Sequence, residues 1–105
     1  MAIEVTYKNR KYQFGFTRQT AANLENSGFV LEQLGDKPNV MVPLLVYHAA
    51  TAYNPKIKHK LVDEIYGDLK GDKEGFIMAL VEEYTAPTAT LFEDNEQGNA
   101  TWKQV

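Results

Sequence analysis

The sequence predicts an α+β fold, an N-terminal antiparallel β-hairpin packed on a small bundle of about four helices. Three observations carry this expectation. Residues 2–16 alternate apolar and polar with period two. Residues 57–69 carry an apolar stripe with helical spacing. Between and after them, Thr, Gly, Asp and Pro fall where helix caps and breaks belong.

In the hairpin, Ile3, Val5 and Tyr7 alternate with Ala2, Glu4 and Thr6, and Tyr12, Phe14 and Phe16 alternate with Lys11, Gln13 and Gly15. Lys8-Asn9-Arg10 is the expected turn, because Asn9 tolerates a left-handed backbone. A lone hairpin is marginal in water, so its aromatic face has to rest on helices. Thr17 is placed to cap a helix starting at Arg18, with Ala21, Ala22 and Leu24 facing inward. Gly28 stops that helix by taking positive φ, and Phe29 is expected to fold back on its last turn.

Val30, Leu31 and Leu34 suit a short helical turn, and Gly35-Asp36-Lys37-Pro38 reads as a loop. A second helix is expected over about 39–53. With Asn39 as its cap, Pro43 falls at the end of the first turn and removes an amide donor. A start near Val42 puts Pro43 at the favoured first position instead, and is the preferred reading. Asn54-Pro55 breaks this helix. A third follows over 57–69, where Ile57, Leu61, Ile65 and Leu69 recur every four residues and Val62 and Tyr66 widen the stripe. Gly71 ends it. Asp72 is positioned to cap a fourth helix from about 73, lined by Phe76, Ile77, Leu80, Val81 and Tyr84. Pro87 either ends or kinks that helix on the way to Leu91 and Phe92. Residues 1–92 thus read as a single domain. Residues 93–105 form a polar tail whose one large apolar residue, Trp102, either docks back on the core or anchors a partner.

Composition narrows the function. With 105 residues and 44% apolar content the chain suits one hydrophobic core. The absence of cysteine excludes disulfides, thiolate zinc sites and a cysteine nucleophile. A net charge of −3 opposes general nucleic-acid binding. The local basic run of Lys8, Arg10, Lys11 and Arg18 reads as a hairpin tip that keeps a sheet edge soluble. No early apolar run resembles a signal peptide, since Glu4 and Lys8 interrupt it. The longest apolar stretch, over 40–50, is too short to span a bilayer, so no membrane partner is expected.

Little in the sequence suggests bond chemistry. His59 and Asp63 share a helix face at i, i+4, a spacing that can orient an imidazole as general base, but no nucleophile accompanies them. His48 sits in an apolar segment, where a hydrogen-bonded, partly buried histidine is the default. The acidic run over 93–96 lacks calcium-loop spacing. The segment Gly71–Gly75 lacks the pattern of a phosphate loop. Asn99-Ala100-Thr101 matches a glycosylation sequon of a kind that arises by chance. No catalytic residue, metal ligand or cofactor is expected.

Two features suit a protein partner. The segment VMVPLLVYH is apolar on nearly every side. Either the hairpin and the other helices bury it, or Met41, Leu44, Leu45 and His48 reach an interface. Trp102 is the second feature.

The hairpin running into FGFTRQTAANLENSGF, the segment PNVMVPLLVYHAATAYNPKIK, DEIYGDL, and GFIMALVEEYTAPTATLF with the late Trp102 together cover most of the chain. In this order the chain resembles the tail assembly chaperone families of long-tailed bacteriophages and related prophages, in particular small proteins from phages of Gram-positive hosts. The resemblance implies a non-enzymatic role in the host bacterial cytoplasm. A chaperone of this kind binds the tape measure protein and keeps it soluble while tail tube protein subunits assemble around it. The resemblance also implies a homo-oligomer, and a short form that a programmed frameshift can extend beyond the polar tail. A structural tail or head–tail connector component is the alternative, and an enzyme built on His59 and Asp63 a third, weaker reading.

Overall fold

The computed structural model describes residues 2–105. Strands β1 (Ile3–Tyr7) and β2 (Arg10–Phe14) form an antiparallel two-stranded sheet in the register Ile3↔Phe14, Val5↔Tyr12 and Tyr7↔Arg10. This pairing puts the apolar residues of both strands on one face. The turn is tighter than expected. Arg10 already belongs to β2, and the loop is Lys8 and Asn9 alone, at φ 50° and 67°. Two consecutive positive φ values mark the primed turn whose twist matches the flanking strands.

Four helices follow: α1 (Arg18–Asn26), α2 (Pro38–Thr51), α3 (His59–Gly67) and α4 (Lys73–Leu91). A single 3-10 turn, Leu31–Gln33, lies between α1 and α2. The α+β architecture expected from the sequence is therefore the one observed. Thr17 caps α1 reciprocally with Thr20. The Thr17 hydroxyl accepts from the Thr20 amide at 3.2 Å, and the Thr20 hydroxyl accepts from the Thr17 amide at 2.9 Å. A cap of this kind contributes about 1 kcal/mol. Gly28 stops the chain beyond α1 at φ +101°. Asp72 caps α4, its carboxylate accepting from the Gly75 amide at 2.8 Å.

Several boundaries differ from expectation. Helix α2 starts at Pro38, not near Val42, so Pro43 lies inside it. The Met41 amide already donates to the Lys37 carbonyl at 2.9 Å, so the backbone turns before Val42 is reached. Pro38, not Pro43, takes the first helical position, where a missing amide costs nothing. Helix α3 is shorter than 57–69. The Ile57 amide is held by the Asn54 carbonyl in a turn, and Lys58 supplies no side-chain cap. Its deepest residues are Val62 and Ile65, while Ile57, Leu61, Tyr66 and Leu69 are half-buried. Helix α4 continues through Pro87 to Leu91.

Helix α2 is the hub, touching α1, α3, α4, β2 and the 3-10 turn. Polar ties hold the hairpin to it. The Gly15 amide donates to the Ala49 carbonyl at 3.1 Å. The Asn54 side-chain amide bridges the Gln13 and Ala50 carbonyls at 3.0 and 2.9 Å. Around the hub, Phe14 meets Phe76 edge-on, and Tyr84 receives both Phe16 and Phe29 in T-shaped contacts. Phe29 thus reaches across to α4. Burial, then the carboxylates of Glu25 and Glu32, push the Tyr84 hydroxyl pKa up. Among the described residues no helix is long and apolar enough to cross a membrane.

Candidate protein-docking site

Fourteen residues of nearly unbroken apolar character make α2. A helix apolar all round has to be covered all round or left with a greasy face. Met41, Leu45, Val46, Ala49 and Ala50 are buried on its inner side. On the outer side Val40 is 55% exposed, Pro43 is exposed, and Leu44 and Tyr47 are half-buried. Val40, Pro43, Leu44 and Tyr47 stand at i, i+3, i+4 and i+7, so they form one stripe along the helix. On this second stripe Val40 and Pro43 are open to solvent, while Leu44 and Tyr47 pack in part against the core.

Beside the stripe, α2 and α3 enclose a groove of about 340 Å³. Val42, Pro43 and Val46 line it from α2, and Asp63, Tyr66 and Gly67 from α3. Pro43 belongs to both the stripe and the groove. Having no amide hydrogen, it leaves the Asn39 carbonyl without an i+4 donor, and Asn39 also lines the groove. An apolar channel with one carboxylate-bearing residue, Asp63, on its wall suits an amphipathic segment of another protein.

Of the residues expected at an interface, Met41 and Leu45 are 4% and 0% exposed and belong to the core, where a partner reaches neither. Leu44 lies on the outer stripe, and His48 is half-buried at its edge. Trp102 is 89% exposed, so its side chain is not docked on the core. Val40, Pro43, Tyr47, Asp63 and Tyr66 were not singled out from the sequence as interface residues. The i, i+3, i+4, i+7 spacing around α2 could have found the first three. Asp63 and Tyr66 enter only because α3 packs beside α2.

The structure brings His48 and His59 to one tyrosine. The His59 ring stacks on Tyr47 at 3.5 Å between centroids, with planes 11° apart. The His48 ring meets Tyr47 edge-on at 5.3 Å. Burial, and secondarily the neighbouring His59, hold the His48 pKa below its ordinary value of 6.5. His59 thus faces an aromatic ring, and Asp63 lines the groove. Among the described residues no three His, Cys, Asp or Glu side chains gather to hold a metal ion. Arg18 does not join the hairpin tip: its guanidinium donates to the Thr90 hydroxyl at 3.4 Å, at the far end of α4.

Comparison with curated proteins finds no match to the chain, and comparison with solved structures finds none either. One family model matches the whole of residues 1–105. The chain belongs to the DUF5055 family, a domain of unknown function.

Proposed function

We propose that this protein is a non-enzymatic phage tail assembly chaperone. It binds the tape measure protein in the host bacterial cytoplasm, keeps it soluble, and helps recruit tail tube subunits. The resemblance in the hairpin, the α2 segment and the α4 segment motivates the reading. The observation that carries it is the outer stripe of α2, with Val40 and Pro43 exposed and Leu44 and Tyr47 half-buried, running beside the α2–α3 groove. A long, partly helical client presents apolar residues at the same spacing, and many copies of one shallow site hold it by avidity. The net charge of −3 keeps such a coated client from aggregating.

Co-expression with the tape measure protein tests this. The wild-type chain keeps the client in the soluble fraction and elutes with it. A Val40→Glu, Leu44→Glu variant stays folded and loses the client. An insoluble client beside abundant wild-type protein would sink the proposal. Stoichiometric recovery of the chain from purified virions would favour a structural tail component instead.

A further inference from the structure

The start of α3 borders a second hollow. Tyr12 of β2, Pro55 and Ile57 of the α2–α3 connection, and Leu61 of α3 form its apolar floor, and Arg10 and Lys56 line it as cations. Its volume is about 440 Å³, and no carboxylate lines it. Both cationic residues are exposed. Six of the chain's eleven Lys and Arg residues fall in the two segments that meet here, 8–11 and 56–60. A hollow with this floor and rim selects an apolar side chain followed by negative charge.

The tip of α4 presents that combination. Leu91 is 59% and Phe92 84% exposed, and Glu93, Asp94 and Glu96 come next. The tip is held in place. The Phe92 amide donates to the Ala89 carbonyl at 3.2 Å, and Arg18 ties Thr90 to the start of α1. Phe92 is therefore an aromatic knob at the end of a helix, with carboxylates directly behind it.

Within one chain the two features lie apart. The α4 tip lies beside Arg18, and Phe92 is 84% exposed, whereas the hollow is lined by β2, the α2–α3 connection and α3. Phe92 does not fill the hollow of its own chain, so knob and hollow are both open to a second molecule.

We propose that Phe92 of one copy docks in the hollow between Arg10 and Lys56 of the next, with Glu93 and Asp94 meeting those cations. The contact is heterologous, joining different surfaces of the two copies, so it propagates into a ring or an open filament. It does not depend on the identity of any client.

Sedimentation velocity on the full chain, across a wide range of concentration, tests the contact. The wild-type protein forms species larger than a dimer as concentration rises, and less so at high salt because the exposed charges are screened. An Arg10→Glu, Lys56→Glu variant and a Phe92→Ala, Glu93→Gln, Asp94→Asn variant each weaken association by about tenfold or more. All five substituted residues are exposed, so circular dichroism and melting temperature are expected to stay at wild-type values.

Mixing the two variants decides the matter. Each retains one half of the contact, so the mixture forms a heterodimer and stops there. A wild-type chain that stays monomeric at every concentration overturns the proposal. So does a monomer whose own tail protects the hollow, or a dimer that survives both sets of substitutions.

Discussion

The His59 ring lies flat on Tyr47, 3.5 Å away and 11° from parallel, and so joins the first residue of α3 to the outer stripe of α2. His48 abuts the edge of the same tyrosine. After burial, the neighbouring His59 also disfavours a proton on His48.

Stability should fall on the acid side. The His48 pKa is lowered in the folded chain, chiefly by burial and then by His59. Below the ordinary value of 6.5 the unfolded chain takes up that proton more readily than the folded one. The neutral-histidine contribution is complete above that pH and is lost as pH falls through the lowered folded value. Urea midpoints measured from pH 8 to pH 5 are expected to drop, and His48→Gln should flatten the drop. An unchanged slope in that variant would remove His48 as its cause.

Leu44 and Leu45 are neighbours in sequence with opposite fates. Leu45 is fully buried, so Leu45→Ala should cost about 2–5 kcal/mol in chemical denaturation. Leu44 lies half-exposed on the stripe, and Leu44→Ala should cost about 1 kcal/mol or less. In client binding the order reverses, since Leu44 alone reaches the surface. Equal stability losses would contradict the assigned faces of α2.

Pro43 opposes the helix that contains it. Pro43→Ala returns an amide donor to the Asn39 carbonyl and removes the ring from the helix interior. Thermal denaturation should show a gain of about 1–3 kcal/mol. The same change removes the ring that lines the groove, so client binding should weaken. A destabilised Pro43→Ala variant would mean that the ring's packing in the groove outweighs the missing hydrogen bond.

Trp102 is the one tryptophan in the chain, which makes it a clean reporter. At 89% exposure its emission should be that of a solvated indole, open to quenching and nearly unchanged by denaturant. A blue shift on adding the tape measure protein would mark the tail as part of the bound complex. Blue-shifted, quench-resistant emission from the dilute chain alone would contradict the exposed tail.

Local rules explain what was legible in advance. The hairpin faces follow from period-two alternation, the starts of α1 and α4 from Thr17 and Asp72, and the stop after α1 from Gly28. Each depends on a backbone conformation or a hydrogen bond spanning only a few residues, so neighbouring side chains suffice to specify it. The start of α2 did not follow from the same rules, because two prolines competed for the first helical position. Pro38 takes it and leaves Pro43 inside, where burial of Met41, Leu45 and Val46 against the other elements offsets the lost amide bond.

The faces of α2 depended on packing. Its residues are apolar in every direction, so periodicity cannot say which side the core covers; Met41 and Leu45 turned inward because α1, α4 and β2 close over that side. The α2–α3 groove, the Tyr47–His59 stack and the hollow between Arg10 and Lys56 join residues from separate elements. Sequence patterning is local and so specifies which segments become helices and strands and where they stop, whereas the surfaces a partner can reach are set by long-range contacts that only the assembled fold creates.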